Sequence, residues 1–236
     1  MAKPILVANW KNHPSSLFEA KNLLKQLSRS AKVYKKWDFY IAPPLTYFEV
    51  VAERAKNFAK LASQDIEILD ILKSFGVKLS IIGHSDSRAK GETDEEINKK
   101  IKLALKANIT SLVCIGENIW DQDGEHFEFL RSQLRSAFLG IKNPRAMVAY
   151  EPVWAIGKGS KDAIQSGDLE QTVIFIKKVL SDIFGRKIAD KIPVLYGGAV
   201  EPSNAESLLK GTGIRGFLVG HASLDAKKLR SIAEVI

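Results

Sequence analysis

A glutamate at the end of a short apolar run is the side chain in this sequence best suited to acid–base chemistry. Glu151 follows the run from Met147 to Tyr150 and is followed at once by Pro152. Proline fixes one backbone angle at the near end of the next connection, and Gly157 frees the backbone at its far end. The bulky Trp154 between them supplies apolar surface that could cover a small ligand and exclude water. The segment therefore predicts a carboxylate base at the mouth of a pocket, followed by a hinged flap.

A histidine with a similar setting is the second candidate for proton transfer. His84 follows the apolar run from Leu79 to Ile82, at a point where a short helix is expected to begin. A helix N-terminus disfavours the imidazolium, so a neutral His84 could donate a proton to an oxygen. Glu151 could take a proton from carbon if a dry pocket raises its basicity. Considered alone, His84 is equally well explained as a buried histidine that is merely hydrogen-bonded.

Two glycine-containing turns and one lysine predict an anion site. Gly197-Gly198-Ala199 and Gly220-His221-Ala222 each follow a short apolar run, and glycine lets backbone amides approach a phosphate closely. Lys11, after Asn9 and Trp10, could add a point charge for the same anion. Either turn alone could be an ordinary tight turn, and a lone lysine is most often solvated. As the last two strand ends of one sheet they predict a phosphate-binding site.

The elements that must position these residues alternate regularly along the chain. Short apolar runs alternate with longer amphipathic ones, which predicts a parallel sheet covered by helices. Closing that sheet into a single (β/α)8 barrel over residues 1–236 leaves no edge strand. The alternative is an open doubly wound sheet, which would want a glycine-rich fingerprint where Asn9, Trp10 and Lys11 stand. The predicted strands are Ile5 to Ala8, Phe39 to Ala42, Leu61 to Gln64, Leu79 to Ile82, Ser111 to Ile115, Met147 to Tyr150, Val194 to Tyr196 and Gly216 to Val219.

Helix starts are predicted from capping-box spacing, in which a serine or threonine precedes a glutamate by three residues. Each such pair can satisfy two otherwise unpaired amide donors. The pairs are Ser16 with Glu19, Thr93 with Glu96, and Ser203 with Glu206.

Composition limits the classes of partner. The net charge is +8, but the lysines are spread along amphipathic helices, so we expect no nucleic-acid binding. The four histidines have no metal-ligand spacing, so no metal is expected. No run of about 18 apolar residues predicts a membrane span, and the first residues do not resemble a signal peptide. The single cysteine, Cys114, fits a reducing compartment and predicts a cytoplasmic protein.

The order of these segments resembles the triosephosphate isomerase family over essentially the whole chain. The matching segments are Asn9-Trp10-Lys11, Ile82-Gly83-His84-Ser85, Cys114-Ile115-Gly116-Glu117, Tyr150 to Gly157, Tyr196-Gly197-Gly198 and Leu218-Val219-Gly220. The resemblance implies a glycolytic and gluconeogenic isomerase that interconverts dihydroxyacetone phosphate and glyceraldehyde 3-phosphate through an enediolate, without a cofactor. A glutamate base paired with a neutral histidine is the arrangement for which this family is known.

The resemblance also implies roles for individual residues. Glu151 would move the carbon proton, His84 and Asn9 would stabilise the oxyanion, and Lys11 would help to hold the charge. Residues 152–159 would form a closing lid. The amides of Gly157, Ala199, Gly220 and His221 would bind the phosphate of the triose substrate. The supporting residues would be Ser85, Asp86, Cys114, Glu117 and Trp154.

Three positions depart from the family pattern near the site. Asp86 replaces a glutamate, and its shorter reach puts the usual contact near Lys11 in question. Ala199 replaces a serine whose hydroxyl could tether the closed lid, and His221 replaces a glycine beside the phosphate site. We expect a working enzyme that these changes weaken. The alternatives are a weakened or inactive barrel that binds a phosphate ligand, and a barrel enzyme for another sugar phosphate.

The connection after the third strand is the largest departure. Only Ile66 and Glu67 separate Gln64-Asp65 from the helix expected to begin near Ile68. The family normally carries a long loop there, which inserts into the partner subunit and braces the first-strand lysine. We therefore expect a monomer, or else a homodimer that uses a changed interface.

Overall fold

Eight parallel strands form a closed barrel in which neighbours in the chain are neighbours in the sheet. The computed structural model describes residues 2–121, 123–159 and 163–236. Pairing of the last strand with the first, with Ile5 opposite Gly216, excludes the open sheet and confirms the (β/α)8 prediction. The strands are β1 (Ile5–Asn9), β2 (Asp38–Ala42), β3 (Lys60–Ser63), β4 (Leu79–Ile82), β5 (Thr110–Ile115), β6 (Ala146–Tyr150), β7 (Val194–Tyr196) and β8 (Gly216–Val219). Each predicted strand agrees with the observed one to within one residue at either end.

Helices connect the strands around the outside of the barrel. Within the described residues they are α1 (Leu17–Ser28), α2 (Ala31–Tyr34), α3 (Phe48–Ala55), α4 (Leu69–Ser74), α5 (Ser85–Arg88), α6 (Asp94–Lys106), α7 (Glu125–Ala137), α8 (Ser166–Phe184), α9 (Arg186–Ala189), α10 (Ala205–Leu209) and α11 (Ala226–Ala233). None of these helices combines the length and the apolar character needed to cross a membrane.

Alternating side chains of the strands build two separate cores. Along β1, Ile5 and Val7 point into the barrel, whereas Leu6 and Ala8 pack outward against helices. All four are buried, as expected for a parallel sheet covered on both faces. The barrel interior is therefore filled with side chains, and the open space of the site lies only at the rim.

The three predicted capping boxes have different outcomes. At α6 both bonds form, because Thr93 accepts from the Glu96 amide and the Glu96 side chain accepts from the Thr93 amide. At α1, Ser16 accepts from the Glu19 amide, but the Glu19 carboxylate turns to the amide of Ser15.

The third capping-box prediction is wrong. Helix α10 begins one residue later than that box requires, with Asn204 rather than Ser203 at the cap. The Asn204 amide group accepts from the Glu201 amide and donates to the Ala199 carbonyl, so it fixes the turn that precedes the helix. Glu206 pairs instead with Lys210 in the next turn. Both bonds are made by the amide side chain of Asn204, and Ser203 is left exposed.

A pair of alanine substitutions separates the cap that forms from the one that does not. Thr93→Ala should lower the free energy of unfolding by about 1 kcal/mol, because the Glu96 amide loses its acceptor and the Glu96 carboxylate loses the bond from the Thr93 hydroxyl. Ser203→Ala should change it by less than about 0.5 kcal/mol. Urea unfolding followed by circular dichroism measures both values. Equal losses in the two variants would contradict the assignment of the caps.

Candidate active site

The carboxyl ends of the strands surround a cavity of about 490 Å³. It is lined by residues that follow β1, β4, β6, β7 and β8, which are far apart in sequence. Every residue predicted for catalysis or substrate binding contributes to its wall. These residues are Asn9, Lys11, His84, Glu151, Gly157, Ala199, Gly220 and His221.

Glu151 and His84 lie in direct contact at the base of the cavity. Glu151 Oε1 is 3.1 Å from His84 Nε2, and the two residues are only 2% and 8% exposed. His84 caps α5, and its Nδ1 atom accepts a hydrogen bond of 3.1 Å from the amide of Asp86. Because an amide can only donate, Nδ1 carries no proton, and the ring proton must be on Nε2. The geometry thus supports the neutral imidazole that the sequence predicted.

Two close backbone contacts fix the direction of Glu151. Its amide donates to the Ile115 carbonyl at 2.7 Å, and its Oε2 accepts from the Ser85 amide at 3.1 Å. A Cβ atom at Gly116 would lie 1.8 Å from the Glu151 carbonyl oxygen, and one at Gly197 would lie 2.8 Å from its Cγ. Only glycine therefore fits at these two positions beside the carboxylate.

Lys11 is braced from three sides. Its Nζ lies 2.9 Å from Asp86 Oδ2, so the shorter aspartate does reach the contact that the sequence put in question. Burial works to raise the pKa of Asp86, but the hydrogen bond and the charge of Lys11, together with other nearby groups, outweigh it and the pKa is lowered. The Lys11 backbone has a positive φ of 51°, unusual for a residue other than glycine. It is held there by bonds from its amide to Asn9 Oδ1 (3.0 Å) and from Gln64 Nε2 to its carbonyl (2.7 Å).

The phosphate-site prediction corresponds to backbone around the ends of β7 and β8. Gly220 precedes a 3₁₀ turn that begins at His221, and neither amide donates to an acceptor in the described part of the chain. Ala199, which follows Gly197 and Gly198, also lines the cavity. A Cβ atom at Gly220 would lie 3.7 Å from Lys11 Cε, so the lysine side chain runs beside the free amides at the start of the helical turn and makes this region electropositive.

The segment after Glu151 is anchored rather than folded over the cavity. Trp154 donates to Glu117 Oε1 at 2.7 Å and packs edge-on against Trp120, with ring centroids 5.8 Å apart. It was expected to cover the ligand, but in the described residues Ile156 and Gly157 line the cavity and Trp154 does not. An indole N–H that is partly buried needs an acceptor, and Glu117 supplies it. Gly157, with φ of 75°, is the predicted point of backbone freedom.

Burial raises the pKa values of two supporting residues inside the rim, Glu117 and Cys114. Burial raises the pKa of Glu117, although hydrogen bonds from Trp154 and Tyr150 oppose it. Cys114 is fully buried on the interior face of β5, and burial together with the neighbouring Glu151 carboxylate raises the pKa of its thiol. Both residues support the Glu151 segment and neither lines the cavity.

Sequence reasoning missed two positioning residues. Gln64 follows β3, and its amide group links the Lys11 and Ala42 carbonyls. Its position directly after a strand was the available signal. Arg88 donates to the carbonyls of Gly83 and Cys114 and pairs with Asp94, and no sequence pattern marked it.

Comparison with known proteins agrees with this geometry. The family model described as triosephosphate isomerase matches residues 4–236. The chain belongs to the triosephosphate isomerase family. The relatives with that name include a protein of Citrifermentans bemidjiense, 36% identical over 98% of both chains, and one of Thermodesulfovibrio yellowstonii, 36% identical over 99% of this chain and all of the relative. A third, from Flavobacterium johnsoniae, is 33% identical over the full length of both.

The groups in the observed site fit the proton-transfer chemistry of an isomerase family. Within residues 2–121, 123–159 and 163–236, no group of three or more histidine, cysteine, aspartate or glutamate residues is placed to hold a metal ion. The groups that face the cavity are instead a carboxylate, a neutral imidazole, an ammonium and free amides. They are suited to moving a proton and to binding an anion.

Replacing the glycine beside the carboxylate tests how tightly Glu151 is positioned. Gly197→Ala should displace the Glu151 side chain and lower kcat about tenfold or more, since misplacement by about 1 Å can cost 10²-fold. Gly167→Ala is the matched control, because a Cβ there meets nothing within 4 Å and lies in helix α8. Steady-state kinetics of both variants measure the difference. Unchanged kcat in Gly197→Ala would contradict the tight packing around Glu151.

Proposed function

We propose that this protein interconverts dihydroxyacetone phosphate and D-glyceraldehyde 3-phosphate, the isomerisation after which its family is named. The observation that carries the proposal is the contact between a buried carboxylate and a neutral imidazole in a cavity that also holds a lysine and free amides. A proton on carbon beside a carbonyl is removed most easily when the developing oxyanion is stabilised at the same time. The pair Glu151 and His84 is suited to those two tasks.

The proposed reaction needs only proton transfers. The Glu151 carboxylate removes the proton from the carbon beside the carbonyl, and the electron pair moves to the carbonyl oxygen. His84 Nε2–H and the Asn9 side chain stabilise the enediolate, and Glu151 returns the proton to the neighbouring carbon. The hydroxyl proton moves between the two oxygens, so the product is an isomer of the substrate and no cofactor is consumed.

Substrate must compete with an existing contact. His84 Nε2 lies 3.1 Å from Glu151 Oε1, and the same N–H is needed for the substrate oxygen. Binding therefore requires the carboxylate to leave Nε2 and move toward the carbon to be deprotonated. The amides of Gly157, Ala199, Gly220 and His221, with Lys11, would hold the phosphate while this happens.

Residues 152–159 are proposed to form the lid that closes over the bound substrate. The near end is held by Glu117, which accepts from the Val153 amide through its carbonyl and from Trp154 through its carboxylate. The far end has Gly157, where a Cβ would meet nothing within 4 Å. One fixed end and one unrestricted end favour a hinged movement, which would exclude water from the enediolate.

An active enzyme is favoured over an inactive phosphate-binding barrel. All four groups needed for turnover line one cavity, and the Lys11–Asp86 contact removes one reason to expect a loss of activity. Ala199 still lacks a hydroxyl, and exposed His221 adds a side chain beside the phosphate site. These two positions are the remaining grounds for a modest reduction in activity.

Shortening the base is the direct test of the proposed reaction. Glu151→Asp should lower turnover by about 10²-fold or more, because the carboxylate withdraws by about one bond from the carbon it deprotonates. A coupled assay with glyceraldehyde 3-phosphate measures kcat, and thermal unfolding checks that the fold is kept. Glu128→Asp, on the exposed part of α7, is the control. Full activity of Glu151→Asp would remove this residue from the mechanism, and an inactive wild-type protein would favour the binding-only alternative.

A monomeric state is proposed from the short connection after β3. Ile66 is fully buried there, and Lys100 of α6 binds three carboxylates, Asp65 at 2.6 Å, Glu67 at 3.2 Å and Glu92 at 2.7 Å. Burial disfavours the charged lysine, but its hydrogen bonds to Asp65 and Glu92 outweigh this and raise its pKa. The connection is therefore tied down within its own chain. The residues that hold Lys11 in place, Asn9, Gln64 and Asp86, also belong to its own chain.

Light scattering tests this proposal. We expect a mass near 26.2 kDa that does not rise between micromolar and about millimolar protein. The alternative, a homodimer with a changed interface, would use the surface at the start of α1, where Phe18 is 73% exposed. If a dimer forms, Phe18→Ser should disrupt it, whereas Leu139→Ser, at an equally exposed site beyond α7, should not. A tight dimer would contradict the monomer proposal.

A cytoplasmic location is also proposed. Its support is Cys114, which is free and buried inside the barrel, where a thiol has no partner for a disulfide. Proteins with a single unpaired cysteine are common in reducing compartments. Fractionation of the source cells would test the location.

A further inference from the structure

A second and larger hollow lies at the opposite end of the barrel from the site. It has a volume of about 1000 Å³ and is open to solvent. Its floor is formed by the first residues of β1, β2 and β3 and by Arg215, just before β8, and its rim by the segments that follow α2, α3 and α9. Ile5 lines this hollow and Asn9 lines the active site, so β1 separates the two by about 13 Å at 3.3 Å per residue.

This hollow is strongly basic. Six of its cationic side chains have no carboxylate within 4.0 Å in the described part of the chain: Lys3, Lys35, Lys56, Lys177, Lys191 and Arg215. A seventh, Lys60, is paired with Asp38 at 2.5 Å. The other carboxylate of the wall, Asp190, lies 3.8 Å from Arg186, which is outside the hollow. We call this set of residues the basic hollow.

The partial negative charges at helix C-termini offset only part of the positive charge of the basic hollow. Lys35 and Lys56 cap the C-termini of α2 and α3, where a cation complements the partial negative charge of the helix. Lys177 donates to the carbonyl of Ala189 at 2.9 Å, and Lys3 to that of Lys35 at 2.7 Å. Each helix end carries at most about half a charge, and α2 is a single turn, so the cations remain in excess.

Repulsion between like charges affects one lysine of the basic hollow, Lys177. Lys177 is half-buried, and its burial together with the charge of Arg215 lowers its pKa, although Asp190 opposes this. An anion in the hollow would offset the repulsion between Lys177 and Arg215.

The arrangement of the cations selects the kind of anion. The active-site cradle offers closely spaced amides, which fit one phosphoryl group. The basic hollow instead offers flexible ammonium groups from several separate elements around a wide space. Lysines act as point charges without fixed bonding geometry, so they fit a ligand whose charge is spread along its length.

We propose that the basic hollow binds a linear chain of condensed phosphates, such as inorganic polyphosphate or the triphosphate of a nucleotide. Binding there leaves the catalytic residues untouched, because they open on the other end of the barrel. The ligand would bridge Lys56 on one side of the hollow and Lys191 on the other.

Calorimetric titration with inorganic tripolyphosphate tests the proposal. The titration is done at low salt with excess inorganic phosphate, which fills the active-site cradle. We expect one equivalent to bind, and a Lys56→Glu/Lys191→Glu double variant to bind about tenfold more weakly or worse, as two attractive charges become repulsive. The matched control is Lys21→Glu/Lys99→Glu, two exposed lysines outside the hollow with the same change in net charge. It should lose less than about threefold, which corresponds to general screening alone.

Further measurements separate the source of the phosphate chain and the possible artefacts. Adenosine triphosphate that binds like tripolyphosphate would indicate that the chain alone is recognised, and tighter binding would indicate a nucleotide. Both double variants should keep the wild-type melting temperature and isomerase kinetics. The proposal is overturned if tripolyphosphate does not bind, if inorganic phosphate abolishes its binding, or if the two double variants lose affinity equally. Binding restricted to long polyanions such as an oligonucleotide would also overturn it.

Discussion

The hydrogen bond from the Asp86 amide to Nδ1 of His84 is the interaction on which the chemistry of this protein depends. It fixes the only proton of the imidazole on Nε2, which faces Glu151 and the cavity. A protonated ring would have no lone pair for the amide and would form a charge pair with the Glu151 carboxylate, which would lower the basicity of the base. The four-residue helix α5 provides this amide, so a single turn of helix after β4 controls the state of both groups.

Close approach between strands makes the rest of the site possible. Glu151 lies between Gly116 and Gly197, each of which would collide with it if it carried a side chain. The same carboxylate is aligned by the Ser85 amide from a third strand end. Three separate segments therefore restrict one side chain. A barrel is suited to this because the ends of all its strands meet at one rim.

The fold could be predicted almost completely from the sequence, and the site only in part. Strands buried on both faces give continuous apolar runs, which is why the limits of strands such as β4 and β7 could be predicted without error. The catalytic residues could be predicted because each directly follows such a run. Contacts that depend on the path of a loop could not: Gln64 bracing Lys11, Asn204 replacing Ser203 as a cap, and Asp86 reaching Lys11. The bond from Trp154 to Glu117 could not be predicted either, because the two residues lie 37 positions apart in the sequence.

The four charges gathered at Lys100 have a consequence for the behaviour of the protein on heating. Hydration of ions becomes less favourable as temperature rises, so the cost of removing Lys100 and Glu92, the two most buried members, from water falls. Hydrophobic stabilisation per unit area reaches a plateau over the same range. The short connection after β3 is held by such a network as well as by the buried Ile66. It should therefore stay attached to α6 at temperatures where connections held by apolar contacts alone begin to loosen.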